Sequence, residues 1–147
     1  MAGAAILYYS PPGNKRANKT RALIVRLGVR LICVPDEDVH KTVEELIGKE
    51  EIRELDFGAD ERLEALHSGE GETLKEVKIP QKITEEIMVF FNFTEALFER
   101  VLRELKKSHS SVALKAMVTN TNSAWQFIRL YAEIAAERDY IRENSKE

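Results

Sequence analysis

The chain has 147 residues, of which 44% are hydrophobic, and a formal net charge of −3. This size and apolar content suit a single domain over residues 1–147 that buries a real core. The slightly acidic balance makes a nucleic-acid partner unlikely, and no stretch approaches the roughly 20 apolar residues that span a bilayer. A single cysteine, Cys33, excludes an internal disulfide and predicts a reducing, cytoplasmic location.

The first half of the chain predicts alternating strands and helices. In chain order these are a strand over Ala5–Tyr9, a helix over residues 17–27, a strand over residues 30–34 and a helix over residues 39–47. Pro11 and Pro12 end the first strand, and Gly28 is expected to stop the first helix. Asp36 or Asp38 is expected to cap the second helix.

The second half predicts the same succession of elements. These are a strand over residues 86–93, a helix to about residue 107, a strand over residues 112–119 and a helix over residues 123–143. Asn92 with Glu95, and Ser123 with Gln126, have the spacing of capping boxes, in which each side chain bonds a free backbone N–H of the other residue.

The repeated order predicts the fold. Two βαβα repeats, about residues 6–47 and 87–134, are joined by an acidic linker over residues 49–80. A strand, a helix and a second strand imply a parallel pair with a right-handed crossover. We therefore predict an α/β fold with a small open parallel sheet of strand order 2-1-3-4 and helices on both faces. Lys115, inside the last strand, predicts an edge position for that strand.

Part of the sequence resembles a known family. The run ALKAMVTNTNSAW, from about Leu114 to Trp125, is similar to an uncharacterised bacterial family known only as a domain of unknown function. A weaker likeness extends from Ile6 to Val34. The resemblance implies a small cytoplasmic domain, and it brings no activity and no catalytic residue with it.

A loop that partly matches a phosphate-binding motif lies between the first strand and its helix. From Gly13 to Thr20 the chain reads GNKRANKT, which fits G-x-x-x-x-G-K-[ST] except that Asn18 replaces the second glycine. Asn is the best non-glycine residue for positive φ, so the loop is a degenerate match. The structural alternative is the basic first turn of an ordinary helix.

The predicted sheet also indicates where a ligand would bind. In an open α/β sheet, ligands lie beyond the carboxyl ends of the strands where the strand order reverses, here between the first and third strands. The polar residues expected at that point form the predicted anion site: Asn14, Lys15, Lys19, Thr20, Asn92 and Thr94. Alternatively, aromatic rings of Tyr8, Tyr9 and Phe93 fill the crevice.

The remaining candidates carry less chemistry. No metal site is predicted, because the three histidines have no partners at ligand spacing, and no catalytic residue or cofactor is predicted either. Cys33 is expected to be a buried, inert thiol within its strand. Trp125 is either a partly buried flank of the last helix or an exposed anchor for a partner.

Charge is unevenly distributed along the chain. Up to Val34 the sequence contains basic residues and no acid, and acids then dominate from Asp36 to Glu85. The asymmetry predicts either a basic patch facing an acidic surface, within one molecule or between two copies, or two independently solvated faces. We expect a non-enzymatic binding or regulatory module that contacts a partner protein or itself. The alternative is an enzyme or sensor that binds a phosphorylated small molecule at the loop from Gly13 to Thr20.

Overall fold

The computed structural model describes residues 3–54 and 77–144. It contains four strands: β1 (Ala5–Tyr9), β2 (Arg30–Cys33), β3 (Ile87–Phe91) and β4 (Leu114–Met117). The helices are α1 (Ala17–Arg26), α2 (Val43–Ile47), α3 (Lys49–Glu54), α4 (Glu95–Lys107) and α5 (Phe127–Asn144). Short 3₁₀ turns at Asp36–Asp38 and Asn122–Ala124 follow β2 and β4.

The strands form one mixed sheet of order β2-β1-β3-β4. This confirms the predicted order and the edge position of the strand that contains Lys115. β1 is parallel to β2 and β3 is parallel to β4, but β1 and β3 are antiparallel, with Leu7 opposite Val89. The prediction of a wholly parallel sheet is therefore wrong.

The error has a simple physical origin. Chirality and crossover rules fix the direction of strands only within a strand–helix–strand unit. The two central strands are apolar along their whole length, and such a run reads the same in either direction. The two units consequently run in opposite directions. An internal repeat in the evolutionary sense stays a prediction.

Side chains alternate between two helical layers. Ile6, Tyr8, Met88 and Phe90 point to one face, where they pack with α1 and α4. The other residues of β1 and β3 pack with α2 and α5 on the opposite face. Both central strands are fully buried, as a strand covered on two faces must be.

Several helix starts differ from their predicted positions. The N-cap of α4 is Thr94, whose hydroxyl accepts from Leu97 N, whereas Asn92 has a positive φ of 59° in the preceding turn. Thr42 and Glu45 form the capping box of α2, so neither Asp36 nor Asp38 caps that helix. In both helices the N-cap is a threonine whose backbone φ and ψ are extended, so that its hydroxyl can accept from the first turn. The spacing of residues in the sequence does not reveal those angles.

The last helix begins at Phe127, four residues after its predicted start at Ser123. The backbone N–H groups of Phe127 and Ile128 donate to the carbonyl oxygens of Lys41 and Val39, both at 2.9 Å. These contacts satisfy two of the free N–H groups at the start of α5. Ser123 lies in the 3₁₀ turn before the helix, where its hydroxyl donates to the carbonyl oxygen of Asn120, and it does not form the predicted capping box. A long-range contact has replaced a local one.

The predicted acidic linker falls largely outside the described residues, which omit 55–76. Within the described part it contains α3, where Ile52 is buried in the α2–α5 layer. Among the helices of the described residues, none combines the length and apolar character needed to cross a membrane.

Candidate functional site

An open cleft of about 680 Å³ lies at the carboxyl ends of the parallel strands β1 and β2. One wall is the connection from β1 into α1, including Ser10, Asn14 and Arg21. The other wall is the exit of β2, from Cys33 to Glu37. This is the edge of a parallel pair where α/β proteins commonly bind ligands, because the loops there vary independently of the buried strands.

The base of the β1–α1 wall is organised by the carboxylate of Glu86, which enters from the residue before β3. The Tyr8 hydroxyl donates a hydrogen bond to Glu86 Oε2, and Asn14 Nδ2 donates to the same oxygen at 3.0 Å. Asn14 Nδ2 also donates to Ser10 Oγ at 2.8 Å. Arg16 Nη2 lies 3.6 Å from Glu86 Oε1. The carboxylate thus links β1, the loop and β3.

The Tyr8 phenol is a donor at neutral pH. Burial first, and then the hydrogen bond to Glu86, raise the pKa of Tyr8 to about 12. Its ionisation would place a second negative charge against a carboxylate in a poorly hydrated site. Tyr8 therefore holds Glu86 in place and cannot act as a base near neutral pH.

Tyr9 makes a similar contact on the other side of β1. Its hydroxyl lies 2.6 Å from Asp36 Oδ1 and 3.1 Å from the carbonyl oxygen of Ile83. Burial, followed by the hydrogen bond to Asp36, raises the pKa of Tyr9 above its ordinary value. Tyr9 separates the cleft from a smaller one of about 400 Å³, which also contacts Asp36 and includes His40.

Arg21 supplies the positive charge of the cleft. Its guanidinium carbon lies 5.6 Å from the centre of the Tyr8 ring, and its Nη1 donates to Asn18 Oδ1 at 3.0 Å. Its Nε is buried and forms no hydrogen bond with the described residues. The planar group is therefore held by α1 and an aromatic ring, and it lines the same cleft as two acidic residues of the other wall, Asp36 and Glu37.

The predicted anion site is not assembled as one site. Because β1 and β3 are antiparallel, Asn92 and Thr94 lie at the opposite end of the sheet from Asn14, Lys15, Lys19 and Thr20. The crevice expected between the carboxyl ends of the first and third strands does not exist. The alternative in which aromatic rings fill it fails for the same reason.

The four residues near β1 also differ in accessibility. Asn14 lines the cleft, with its amide already bonded to Ser10 and Glu86. Lys15 and Lys19 are exposed and lie outside the cleft lining, and Thr20 is fully buried. A carboxylate rather than an open anion position thus lies against this loop, an arrangement that does not favour phosphate.

Two further sequence interpretations can be compared with the structure. Cys33 is exposed at the end of β2 and lines the cleft, so its prediction as a buried thiol is wrong. β2 is an edge strand, and its terminal side chain points away from the core. Trp125 is partly buried against the α2–α5 layer, and the Arg129 guanidinium carbon lies 4.1 Å from the centre of its ring.

The polar run TNTNS, which the sequence singles out, forms a closed turn after β4. Asn122 is fully buried: its Oδ1 accepts from Thr119 N at 2.8 Å, and its Nδ2 donates to the carbonyl oxygen of Met117 at 2.8 Å. The Thr119 hydroxyl accepts from Asn122 N at 3.0 Å. These groups satisfy each other, so the run has a structural role.

The sequence interpretation missed most of the cleft. Arg21, Glu37 and Glu86 were not selected, and Asp36 was expected only as a helix cap. One signal was present: polar residues follow the ends of two neighbouring parallel strands. Glu86 had no such signal, because its approach to Tyr8 depends on the antiparallel pairing of β3.

Residues 86–141 match the family model described as Domain of unknown function (DUF3783). This confirms the resemblance to an uncharacterised family. The match runs from Glu86 through most of α5 and includes the closed turn around Asn122. The two walls of the cleft, at residues 8–37, lie outside it. No curated protein and no solved structure matches the chain.

Within the described residues, no group of three or more His, Cys, Asp and Glu side chains is arranged to hold a metal ion. Among the described residues, the side chains that line the cleft include a guanidinium, two carboxylates, an amide, a thiol and tyrosine hydroxyls that act as donors.

Proposed function

We propose that the protein is a non-enzymatic binding or regulatory module, and that the β1–β2 cleft binds a small molecule with both a negative and a positive group. The observation that supports this proposal most strongly is that opposite charges line the two walls of the cleft, with Arg21 on one wall and Asp36 and Glu37 on the other. An amino acid or a related zwitterion has this charge pattern.

The balance of charge argues for a zwitterion over a phosphate ester. Among the described residues that line the cleft, Arg21 is the one cation, and Asp36 and Glu37 are two carboxylates. A doubly negative phosphate would gain one favourable charge and meet two unfavourable ones at short range. A ligand with a carboxylate at Arg21 and an ammonium group at Asp36 and Glu37 would satisfy both walls.

A binding role is also supported by the state of the acid–base groups. Tyr8 is bonded to Glu86 and Tyr9 to Asp36, and both phenols have raised pKa values. Groups engaged in this way shape and orient a cleft, whereas a general base must be free to accept a proton. We also propose that this is a cytoplasmic protein of bacterial origin, in keeping with the single cysteine and the family resemblance.

The partner-contact interpretation of Trp125 has less support. Its ring packs on the core and lies beneath Arg129, which explains the residue without a partner.

A thermal-shift panel tests the proposal. The ligands are free amino acids, their carboxyl amides and their N-acetyl derivatives, so that each derivative removes one of the two charges. Sugar phosphates, nucleotides and inorganic phosphate complete the panel. We expect some free amino acids to raise Tm by several degrees at concentrations well above Kd, because binding to the folded state alone stabilises it by about 2.7 kcal/mol at 100 times Kd. Both derivatives should lose the effect.

Three variants locate the response. Arg21→Gln should abolish the shift, whereas Arg26→Gln, on the exposed end of the same helix, should retain it. Lys19→Gln should also retain it, because Lys19 lies outside the cleft lining. A shift that came from phosphate esters and disappeared in Lys19→Gln would support the phosphate-loop alternative instead. A flat panel, or a zwitterion response that survived Arg21→Gln, would reject the proposal.

A further inference from the structure

Exposed basic side chains gather where the first turn of α1 meets the last turn of α4. Arg16 Nη1 donates to the carbonyl oxygen of His109 at 3.4 Å, which ties the start of α1 to the residues that follow α4. The two helices pack on the same face of the sheet. We define the basic patch as six exposed residues from these two helix ends: Lys15, Arg16, Lys19, Arg103, Lys106 and Lys107.

Few acids neutralise this patch. Glu86 lies against Arg16, and Glu104 lies 3.6 Å from Lys107. Lys15, Lys19, Arg103 and Lys106 have no ion-pair partner among the described residues. Cations at the start of α1 also oppose the positive end of its helix dipole, so an external anionic surface would remove an unfavourable interaction.

A complementary surface lies on the opposite face of the same molecule. The acidic face comprises four residues of the 3₁₀ turn after β2 and of α2 and α3: Asp38, Glu44, Glu45 and Glu50. Lys41 pairs with Asp38 at 3.3 Å, and Lys41 and Lys49 both act electrostatically on Glu45, so the four acids exceed the two lysines by two negative charges. These elements pack on the α2–α5 layer, so the acidic face and the basic patch lie on opposite sides of the sheet.

We infer that the chain associates with itself, the basic patch of one copy docking on the acidic face of the next. Charge complementarity within one sequence makes a second copy the best-matched partner. The net charge of −3 disfavours nucleic acid, whose phosphates would meet repulsion from the rest of the molecule. Because the two surfaces differ, the contact is heterologous and adds copies head to tail unless a ring closes. This inference is independent of the cleft ligand.

Sedimentation velocity over a range of protein concentrations tests the inference at two salt concentrations. Electrostatic attraction between exposed groups reaches about 30 Å at 0.01 M salt and about 3 Å at 1 M. We expect the weight-average mass to rise with protein concentration at low salt and to return to that of the monomer at high salt.

Charge-reversal variants identify the two surfaces. The basic-patch variant is R103E/K106E and the acidic-face variant is E44K/E50K, and each should weaken low-salt association about tenfold or more. The control K78E/K82E makes the same charge change as the first variant at exposed positions outside both surfaces and should associate like the wild type.

Mixing gives the decisive result. Each variant retains one competent surface, so an equimolar mixture of R103E/K106E and E44K/E50K should form a one-to-one complex that grows no further. A wild type that is monomeric at every concentration in low salt would overturn the inference, as would equal loss in K78E/K82E. Low-salt binding of a duplex oligonucleotide by a monomeric wild type, lost in R103E/K106E, would assign the patch to nucleic acid instead.

Discussion

The turn after β4 and the loop after β1 are both polar and both follow a strand, yet they use their polar groups differently. In the turn after β4, Asn122 and Thr119 bond to each other and to the backbone, and both are buried. In the loop after β1, Asn14 and Arg16 reach across to Glu86, and the loop forms one wall of an open cleft. A cluster of polar residues at a strand end thus indicates a ligand site only when it remains accessible.

The largest change in the free energy of unfolding is expected in the closed turn after β4. Asn122→Ala removes the two hydrogen bonds of the side-chain amide, both 2.8 Å long, and leaves the buried backbone N–H of Thr119 and carbonyl oxygen of Met117 without these partners. We expect a loss of about 3 kcal/mol in the free energy of unfolding, measured by urea denaturation. Asn120→Ala is the matched control: Asn120 is exposed in the same turn, and its side chain should contribute less than about 0.5 kcal/mol. Equal losses in the two variants would mean that the turn is not closed in solution.

The next effect comes from the carboxylate beneath the open loop. Glu86→Ala removes the acceptor shared by Tyr8 and Asn14 and should cost about 2 kcal/mol. The adjacent Glu85 pairs with Arg138 in a more exposed bidentate contact of 2.6 and 2.9 Å, so Glu85→Ala should cost less, about 1 kcal/mol.

A double-mutant cycle makes this prediction sharper. Tyr8→Phe and Glu86→Ala remove the same hydrogen bond, so their costs in the double variant should sum to less than the two single costs. Additive costs would show that Tyr8 and Glu86 act independently, and the loop would then be held in another way.

Alkaline pH should lower the free energy of unfolding through Tyr8, which supports the open loop after β1. The pKa of Tyr8 is 10.0 in the unfolded chain and about 12 in the folded protein, so between these values the unfolded state binds fewer protons. Stability from this group is therefore complete below about pH 10 and is lost as the pH rises through about 12. Denaturation at a series of alkaline pH values should give a shallower decline for Tyr8→Phe than for wild type. A wild-type slope in Tyr8→Phe would contradict the assignment.

The smallest stability effect is expected at Cys33. The thiol is exposed, so the native protein should react fully with an aromatic disulfide reagent, and Cys33→Ser should change Tm by no more than about 1–2 °C. Because Cys33 lines the cleft, a bulky group attached there should block any ligand that binds at Arg21. A thiol that reacts only after unfolding would restore the prediction of a buried cysteine.

The sequence by itself determined the local units of this protein. Apolar runs bounded by turn formers located the four strands, and a strand–helix–strand order fixed the parallel direction within each pair. The edge position of β4 followed from Lys115, because a charged side chain is costly in a strand covered on both faces. These properties depend on residues close in sequence or on burial alone.

Only the tertiary structure decided how the two units meet. The apolar strands β1 and β3 carry no directional signal, so their antiparallel pairing could not be inferred, and that pairing separates Asn92 and Thr94 from the loop after β1. The same pairing brings Glu86 against Tyr8 and Asn14, which are distant from it in sequence. It therefore determines which polar groups form hydrogen bonds within the fold and which remain accessible in the cleft. The physical reason is that hydrophobic burial is non-directional, whereas a site requires particular side chains at particular distances.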